Sequence, residues 1–352
     1  MSNKSKGIPW TSVGVAGAVI AALGGVTVAL INLIPRCLPS APTAPPVVVN
    51  NQPRQEQQQT VQLGLDEEKV ERMFGEKLTP IDRTLSTIKQ DYSVMLERFA
   101  ALQSQLAPKL PPADSTDPLK AKAVELFNAG VELQQKGDTG GAIRKYHAVI
   151  ELDPSSAAAY KNLGIALADT GELDAAIAEF REAIRIKPDD ADFHMALGFA
   201  LHITGDFDGA IAAYREAIRI KPDDADFHMD LGLALDIKGD LDGAITTYRE
   251  AIRIKPDLDK PHGKLGVLLR DKGDADGAIA EFREVIRIKP DDAVAYYLLS
   301  AILSLKHEVA ESVKNLAKAV EFDPQYRERA RTERLFDRIR GDPGFRRLVY
   351  GE

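Results

Sequence analysis

The stretch DDADFHMALGFALHITGDFDGAIAAYREAIRIKP at 189–222 is followed without a break by DDADFHMDLGLALDIKGDLDGAITTYREAIRIKP at 223–256, and the two differ at only seven of 34 positions. A period of this length marks an array of small supersecondary units rather than one large core. Outward from this pair, Pro154, Pro188, Pro222, Pro256, Pro290 and Pro324 are each 34 residues apart. Leu163-Gly164, Leu197-Gly198, Leu231-Gly232 and Leu265-Gly266 keep the same phase, as do Ala142, Ala176, Ala210, Ala244 and Ala278. Tyr146, Phe180, Tyr214, Tyr248 and Phe282 stand four residues after those alanines.

These positions read as a helix-turn-helix unit. Glycine in the first helix lets the second approach, the small alanine does the same from the other side, and the aromatic ring fills the remaining gap. Gly137, Gly171, Gly205, Gly239 and Gly273 suit a left-handed end of the first helix. Acidic residues then follow, as in GDFD at 205–208, where the N-terminus of the second helix favours them. Proline stops that helix, and an Arg-x-Lys before most of the prolines puts cations at its C-terminus.

With length, Leu-Gly, Gly, Ala, aromatic and Pro all coinciding, the chain resembles the tetratricopeptide-repeat (TPR) family. The match covers six consecutive repeats at 121–154, 155–188, 189–222, 223–256, 257–290 and 291–324. The expected fold is all-α, a right-handed α-solenoid occupying 119–324 with a polar capping segment at 325–352. The ends depart from the pattern. The first repeat has Ala129-Gly130 in place of Leu-Gly. The sixth has Ser300, His307, Ser312 and Leu316 at the glycine, turn-glycine, alanine and aromatic positions, as a degraded terminal repeat would.

The resemblance implies that the first helices line a concave face that holds protein or peptide partners. By phase this face carries Met195, Phe199, Met229, Leu233 and Val267, with Asp192, Asp226, Asp230 and Asp236 beside them and Lys260, Lys264 and Arg270 further along. The expected partner segment has an apolar anchor, is basic toward repeats three and four and is acidic toward repeat five. Lys161 and Asn162 resemble part of the clamp with which some members hold acidic C-terminal peptides, but acids occupy the neighbouring positions of repeats three and four. An asparagine ladder like that of sugar-transferase repeat domains starts at Asn128 and Asn162, then lapses into Ala196, Asp230 and Lys264.

No catalytic, cofactor or metal site is expected. His194, His228 and His262 recur at one repeat position, but equivalent residues on neighbouring helices stand about 8–10 Å apart, too far to share an ion that needs nitrogen at about 2 Å. In the GDxDG strings the terminal ligand positions of a calcium loop hold Thr204, Lys238 or Lys272 and Arg215, Arg249 or Arg283, which leaves helix capping as the reading. Phosphate-loop, nucleophile-elbow, zinc-protease and dinucleotide signatures are missing from the sequence.

Ahead of the array, a short basic tail at 1–12 leads into 13–34, VGVAGAVIAALGGVTVALINLI. As a helix at about 1.5 Å per residue it would span about 33 Å, enough to cross a hydrocarbon core of about 30 Å. It is too long for the apolar core of a cleaved signal peptide. Lys4 and Lys6 place the N-terminus on the cytoplasmic side and the array outside. Residues 35–60, rich in Pro, Gln and Asn, read as an extended spacer. Within the helical region 61–107, Ile81, Leu85, Ile88, Tyr92, Met95, Phe99, Leu102 and Leu106 alternate in steps of four and three. That seam predicts a coiled coil over 79–106 and a homo-oligomer, with an amphipathic helix folded back on its own chain as the other reading. A second linker at 108–118 follows.

The composition fits this division. At about 150 residues per domain, 352 residues would make about two domains, but the averages mix an uncharged stretch, Gly7–Pro35, with an acidic array and a basic tail. Residues 119–324 carry 26 cations against 37 acids, and 325–352 eight arginines against five acids, which favours the tail as a cap docked on the acidic solenoid. A net charge of −8 and 6% aromatics argue against nucleic acid as a partner. One cysteine, Cys37, excludes an intramolecular disulfide framework. The leading expectation is a membrane-anchored, non-catalytic protein-interaction scaffold. The alternative is a regulatory or targeting subunit of a separately encoded enzyme.

Overall fold

The structure is a computed structural model and describes residues 109–110 and 117–352. The 13–34 span, the 35–60 spacer, the 79–106 seam and Cys37 lie outside the described residues. Among the described residues every regular element is helical, and no helix is long and apolar enough to cross a membrane. Six hairpins run in order: α1 Pro118–Gln135 with α2 Thr139–Leu152, α3 Ala157–Thr170 with α4 Leu173–Ile186, α5 Ala191–Thr204 with α6 Phe207–Ile220, α7 Ala225–Lys238 with α8 Leu241–Ile254, α9 Asp259–Asp271 with α10 Ala275–Ile288, and α11 Ala293–Leu305 with α12 Val309–Phe322. Then come α13 Gln325–Thr332, a 3-10 turn Arg334–Ile339 and α14 Pro343–Tyr350.

Each of the first five hairpins closes on one contact. A Cβ on Gly232 would lie 2.6 Å from the Tyr248 ring, one on Gly198 2.6 Å from Tyr214, and one on Gly164 2.6 Å from Phe180. Real Cβ contacts are not that short, so the ring sits where a side chain would be. The rings of Tyr146, Phe180, Tyr214 and Tyr248 are fully buried, as are Ala142, Ala176, Ala210 and Ala244 behind them.

The sixth hairpin, expected to be degraded, is whole, because its substitutions compensate one another. Ser300 and Ser312 replace the glycine and the alanine. The Ser300 hydroxyl donates to the Ser312 carbonyl at 2.7 Å and the Ser312 hydroxyl donates to the Ser300 carbonyl at 2.8 Å. Leu316 fills the space of the ring with no exposure. His307 takes the turn glycine's left-handed backbone at φ 62°.

The turns explain the acidic strings. Asp138, Asp206, Asp240 and Asp274 accept from the backbone N–H three residues on, of Gly141, Gly209, Gly243 and Gly277, at 2.8–3.0 Å. A Cβ at those glycines would lie 2.4–2.5 Å from the capping carboxylate. In the second repeat Glu172 stands at the cap position and its side chain does not cap the helix, and the residue three on is Ala175. Cap and glycine therefore change together. Such caps contribute about 1 kcal/mol per helix.

Successive hairpins are tied across a spacing of 30 residues. Lys238 pairs with Asp208 at 2.9 Å, and Lys272 with Asp242 and Lys306 with Asp276 repeat the contact. His194, His228 and His262 bond through Nε2 to the carbonyls of Pro188, Pro222 and Pro256 at 2.8–3.0 Å. They pin each first helix to the turn before it.

The C-terminal segment departs from the polar, charge-docked cap expected of it. Phe336, Ile339, Phe345 and Val349 are buried in one cluster with Tyr297, Leu316 and Tyr326. The Arg331 guanidinium donates to the Val349 carbonyl at 3.0 and 2.9 Å, Arg338 to the Leu305 carbonyl, and Arg340 to the Arg331 carbonyl. Aromatic burial docks this end, and these three arginines serve backbone oxygens rather than the acids of the array.

Two stability outcomes follow from these contacts. Gly232→Ala drives a methyl into the Tyr248 ring and should cost about 1–3 kcal/mol in chemical denaturation. Ser300→Ala and Ser312→Ala should each cost about 1 kcal/mol and the double variant about the sum, because each hydroxyl bonds a backbone carbonyl that stays in place when the other side chain is removed.

Candidate functional site

The helical period brings residues 226, 230, 233 and 236 of α7 to one face, here the A face, and the same positions of α5 and α9 continue it. This A face is where the two nearly identical repeats diverge. Of their seven differences, three fall on it: Ala196 becomes Asp230, Phe199 becomes Leu233, and His202 becomes Asp236. Between repeats four and five the sign inverts at every charged position of the stripe, from Asp226, Asp230 and Asp236 to Lys260, Lys264 and Arg270. The internal framework of glycine, ring and alanine meanwhile stays constant.

The stripe is layered by depth. Asp226 is exposed, and Asp192, Asp236, Lys260, Val267 and Arg270 are half-buried. Met195, Phe199, Met229 and Leu233, expected as anchors, are all less than 9% exposed. Asp230 and Lys264, at equivalent positions in adjacent repeats, are 3% and 7% exposed. The outer rim of the face is thus charged and its floor is apolar with two opposite charges set into it.

At repeat three the rim acid has internal partners. Asp192 receives Lys221 at 2.8 Å and Lys161 at 3.9 Å, and Lys161 also lies 5.9 Å from the centre of the Phe193 ring. Burial lowers the Lys161 ammonium from its ordinary value. His202 stands edge-on to Phe207 at 5.2 Å, and burial pushes it down to about 4, so it is neutral at physiological pH. In repeat four the same pair of positions holds Asp236 and Leu241. The side chain on the face and the ring behind it have changed as a unit.

Burial, with the Asp271 carboxylate adding to it, pushes Asp236 up to about 6. Burial pushes Lys264 down to about 8. Both shifts mark a face on which charge is poorly hydrated. The histidines expected to pack are held by proline carbonyls, and His262 adds a 2.6 Å contact from Nδ1 to Glu281. Among the described residues no group of three His, Cys, Asp or Glu side chains could hold a metal ion.

One contact was not expected from pattern. Lys109 and Leu110 lie against α1, where Leu110 N–H donates to Asn128 Oδ1 at 2.8 Å and Asn128 Nδ2 donates to the Leu110 carbonyl at 2.9 Å. Lys109 pairs with Glu132 at 2.7 Å. No periodic signal links residues 18 apart across a linker, although Asn128 had stood out as the first rung of an interrupted asparagine series.

The raised Asp236 has a defined sign. A carboxyl whose folded-state value exceeds its unfolded value stabilises fully below the unfolded value of about 3.8 and loses that contribution as pH rises through about 6. Asp236→Asn should therefore melt at a higher temperature than wild type at pH 7.5, with the gap closing by pH 4. Thermal unfolding at the two pH values checks this.

Comparisons with known proteins agree with the geometry. Residues 127–191, 185–225 and 204–259 match one tetratricopeptide-repeat model, and residues 260–292 match a second. No curated protein matches the chain. Solved structures similar to it include MamA, at 28% identity over 49% of this chain and 95% of that one with a TM-score of 0.47. YrrB, described as a TPR protein with an unusual peptide-binding site, is 20% identical over 53% of this chain and 98% of its own, TM-score 0.48. The pilF protein of Pseudomonas aeruginosa is 17% identical over 62% of this chain and 100% of its own, TM-score 0.52, a likeness of fold. The helical hairpins between residues 127 and 292 are tetratricopeptide repeats, stacked as an all-α solenoid.

Proposed function

We propose that this chain is a membrane-anchored, non-catalytic scaffold whose A face on repeats three to five holds a segment of a partner protein. The observation that carries this reading is the sign inversion at three matched positions, Asp226/Lys260, Asp230/Lys264 and Asp236/Arg270, on an otherwise repeated framework. A face that changes charge over one repeat selects for orientation as well as composition. The fitting segment carries an apolar anchor for the floor, basic residues toward repeats three and four and acidic residues toward repeat five.

The remainder of the chain supplies placement in this proposal. The uncharged 13–34 stretch is the anchor, with the N-terminus cytoplasmic and the array outside. The 35–60 stretch is a flexible spacer, and the 79–106 seam joins copies of the chain. Joining anchored copies raises the effective concentration of their binding faces without adding any contact to the partner.

Crosslinking in membranes followed by mass spectrometry identifies the partner, and protease accessibility tests the orientation. With the partner in hand, Asp226→Lys combined with Lys260→Glu should lower its affinity about tenfold or more, because both residues stand on the rim and like charges then face each other. Asp230→Lys with Lys264→Glu should act in the same direction from the floor. Recovery in a pull-down unchanged by the rim pair, with helix content intact, would count against the face as the site.

A further inference from the structure

The contact between the linker and α1 has the form of peptide recognition. Both polar atoms of the Asn128 amide bond the N–H and the C=O of one residue, Leu110, at 2.8 and 2.9 Å. This reads main chain, since it needs an extended residue and no particular side chain. Glu132, one turn further along the same helix, then takes the ammonium of Lys109 at 2.7 Å, adding a side-chain preference beside the main-chain clamp. Asn162 repeats the register of Asn128 one repeat on and is fully buried.

The ligand half of the contact is shaped for it. Lys109 and Leu110 sit in APKLPPA, with Pro108 before them and Pro111-Pro112 after. The residue before a proline is restricted to extended conformations, so Leu110 is biased toward the backbone that the amide reads. Within 108–112 only Lys109 and Leu110 have an N–H to donate, and the Leu110 N–H is the one bound. A proline-framed segment also loses little entropy on binding, because it is extended beforehand.

We propose that the first repeat carries a peptide site of its own, reading an extended Lys-Leu segment through Asn128 and Glu132, and that the chain's linker fills it in cis. The ligand class is an extended, proline-framed segment with a basic residue before an apolar one. Partners bearing such a segment reach the first repeat only by displacing residues 109–110. This site is separate from the charged face of repeats three to five and needs none of its residues. With a tethered concentration on the order of millimolar, a segment of about 0.1 mM intrinsic affinity masks its own site about tenfold.

The test uses the full-length protein and a fluorescently labelled synthetic peptide of residues 105–113, QLAPKLPPA, followed by anisotropy. Lys109→Glu with Leu110→Pro cripples the tethered segment, removing its donated N–H and reversing the charge that meets Glu132, while leaving α1 untouched. The peptide should bind this variant about tenfold more tightly than wild type. Adding Asn128→Leu should abolish the gain. In wild type, the Leu110 amide should exchange its hydrogen more slowly than in Asn128→Leu, a readout independent of added peptide. Equal peptide affinity for wild type and the linker variant overturns the cis occupancy, and no binding to either overturns the site. Neither result bears on partner recovery through Asp226 and Lys260, which stands or falls by its own pull-down.

Discussion

The approach of two helices over a glycine is the contact on which the rest of this array depends. In the first four hairpins the ring of the second helix occupies the volume that a side chain on the first would need, and in the fifth Phe282 comes within 3.1 Å of it. Each unit is too small to bury a core alone, so its stability comes from this one closure plus what it shares with its neighbours. The sixth hairpin shows what the constraint demands. When Ser300 and Ser312 put two hydroxyls into the contact, the ring gives way to Leu316, and each hydroxyl bonds the carbonyl of the other residue. A buried hydroxyl without a partner would cost more than the missing ring contact saves.

Closure is held inside each hairpin, while successive hairpins share apolar packing, as where Ala157 and Ala183 meet Phe193, and the turns add polar contacts to it. The Lys238–Asp208 pair and its two counterparts are exposed, and an exposed pair is worth at most about 1 kcal/mol. The histidine bonds to Pro188, Pro222 and Pro256 are local, each to the carbonyl six residues back. Neither set draws on the A face. Residues there can therefore change chemistry from repeat to repeat at limited cost to the stack, and the differences between repeats three and four use that freedom. His202 and Phe207 against Asp236 and Leu241 mark where it ends, because a face residue that reaches the hairpin interior brings its neighbour with it.

The parts of this fold that were legible in the sequence are those enforced once per repeat. Glycine, ring, alanine, turn glycine and proline each answer a steric demand recurring every 34 residues, and repetition separates them from background. The pairing of an aspartate cap with glycine three residues on was also present, but its meaning needed the 2.4–2.5 Å approach of the carboxylate to be visible. The C-terminal segment does pack over the last hairpin, but its mode of docking is hard to read from composition, because its arginines outnumber the short apolar stripe of Phe345, Leu348 and Val349 that carries the contact. Depth on the A face was illegible for a different reason. Phase places Asp226 and Asp230 on the same side, but only packing makes one exposed and the other buried.

Burial on that face has a consequence for recognition. A charge in water meets a ligand charge weakly, whereas one already stripped of water by its own protein has less hydration left to lose when the ligand arrives. Asp236, raised to about 6, and Lys264, lowered to about 8, have met part of that cost in folding. Their opposite signs lie in adjacent repeats, so the face passes from acid to base within one repeat step. Exposed Asp226 and half-buried Lys260 carry the same order to the rim, where salt screens them more. If this face holds a partner segment as proposed, rim and floor present the same order of charge at two depths, and a segment entering in reverse would set like charges against each other at both.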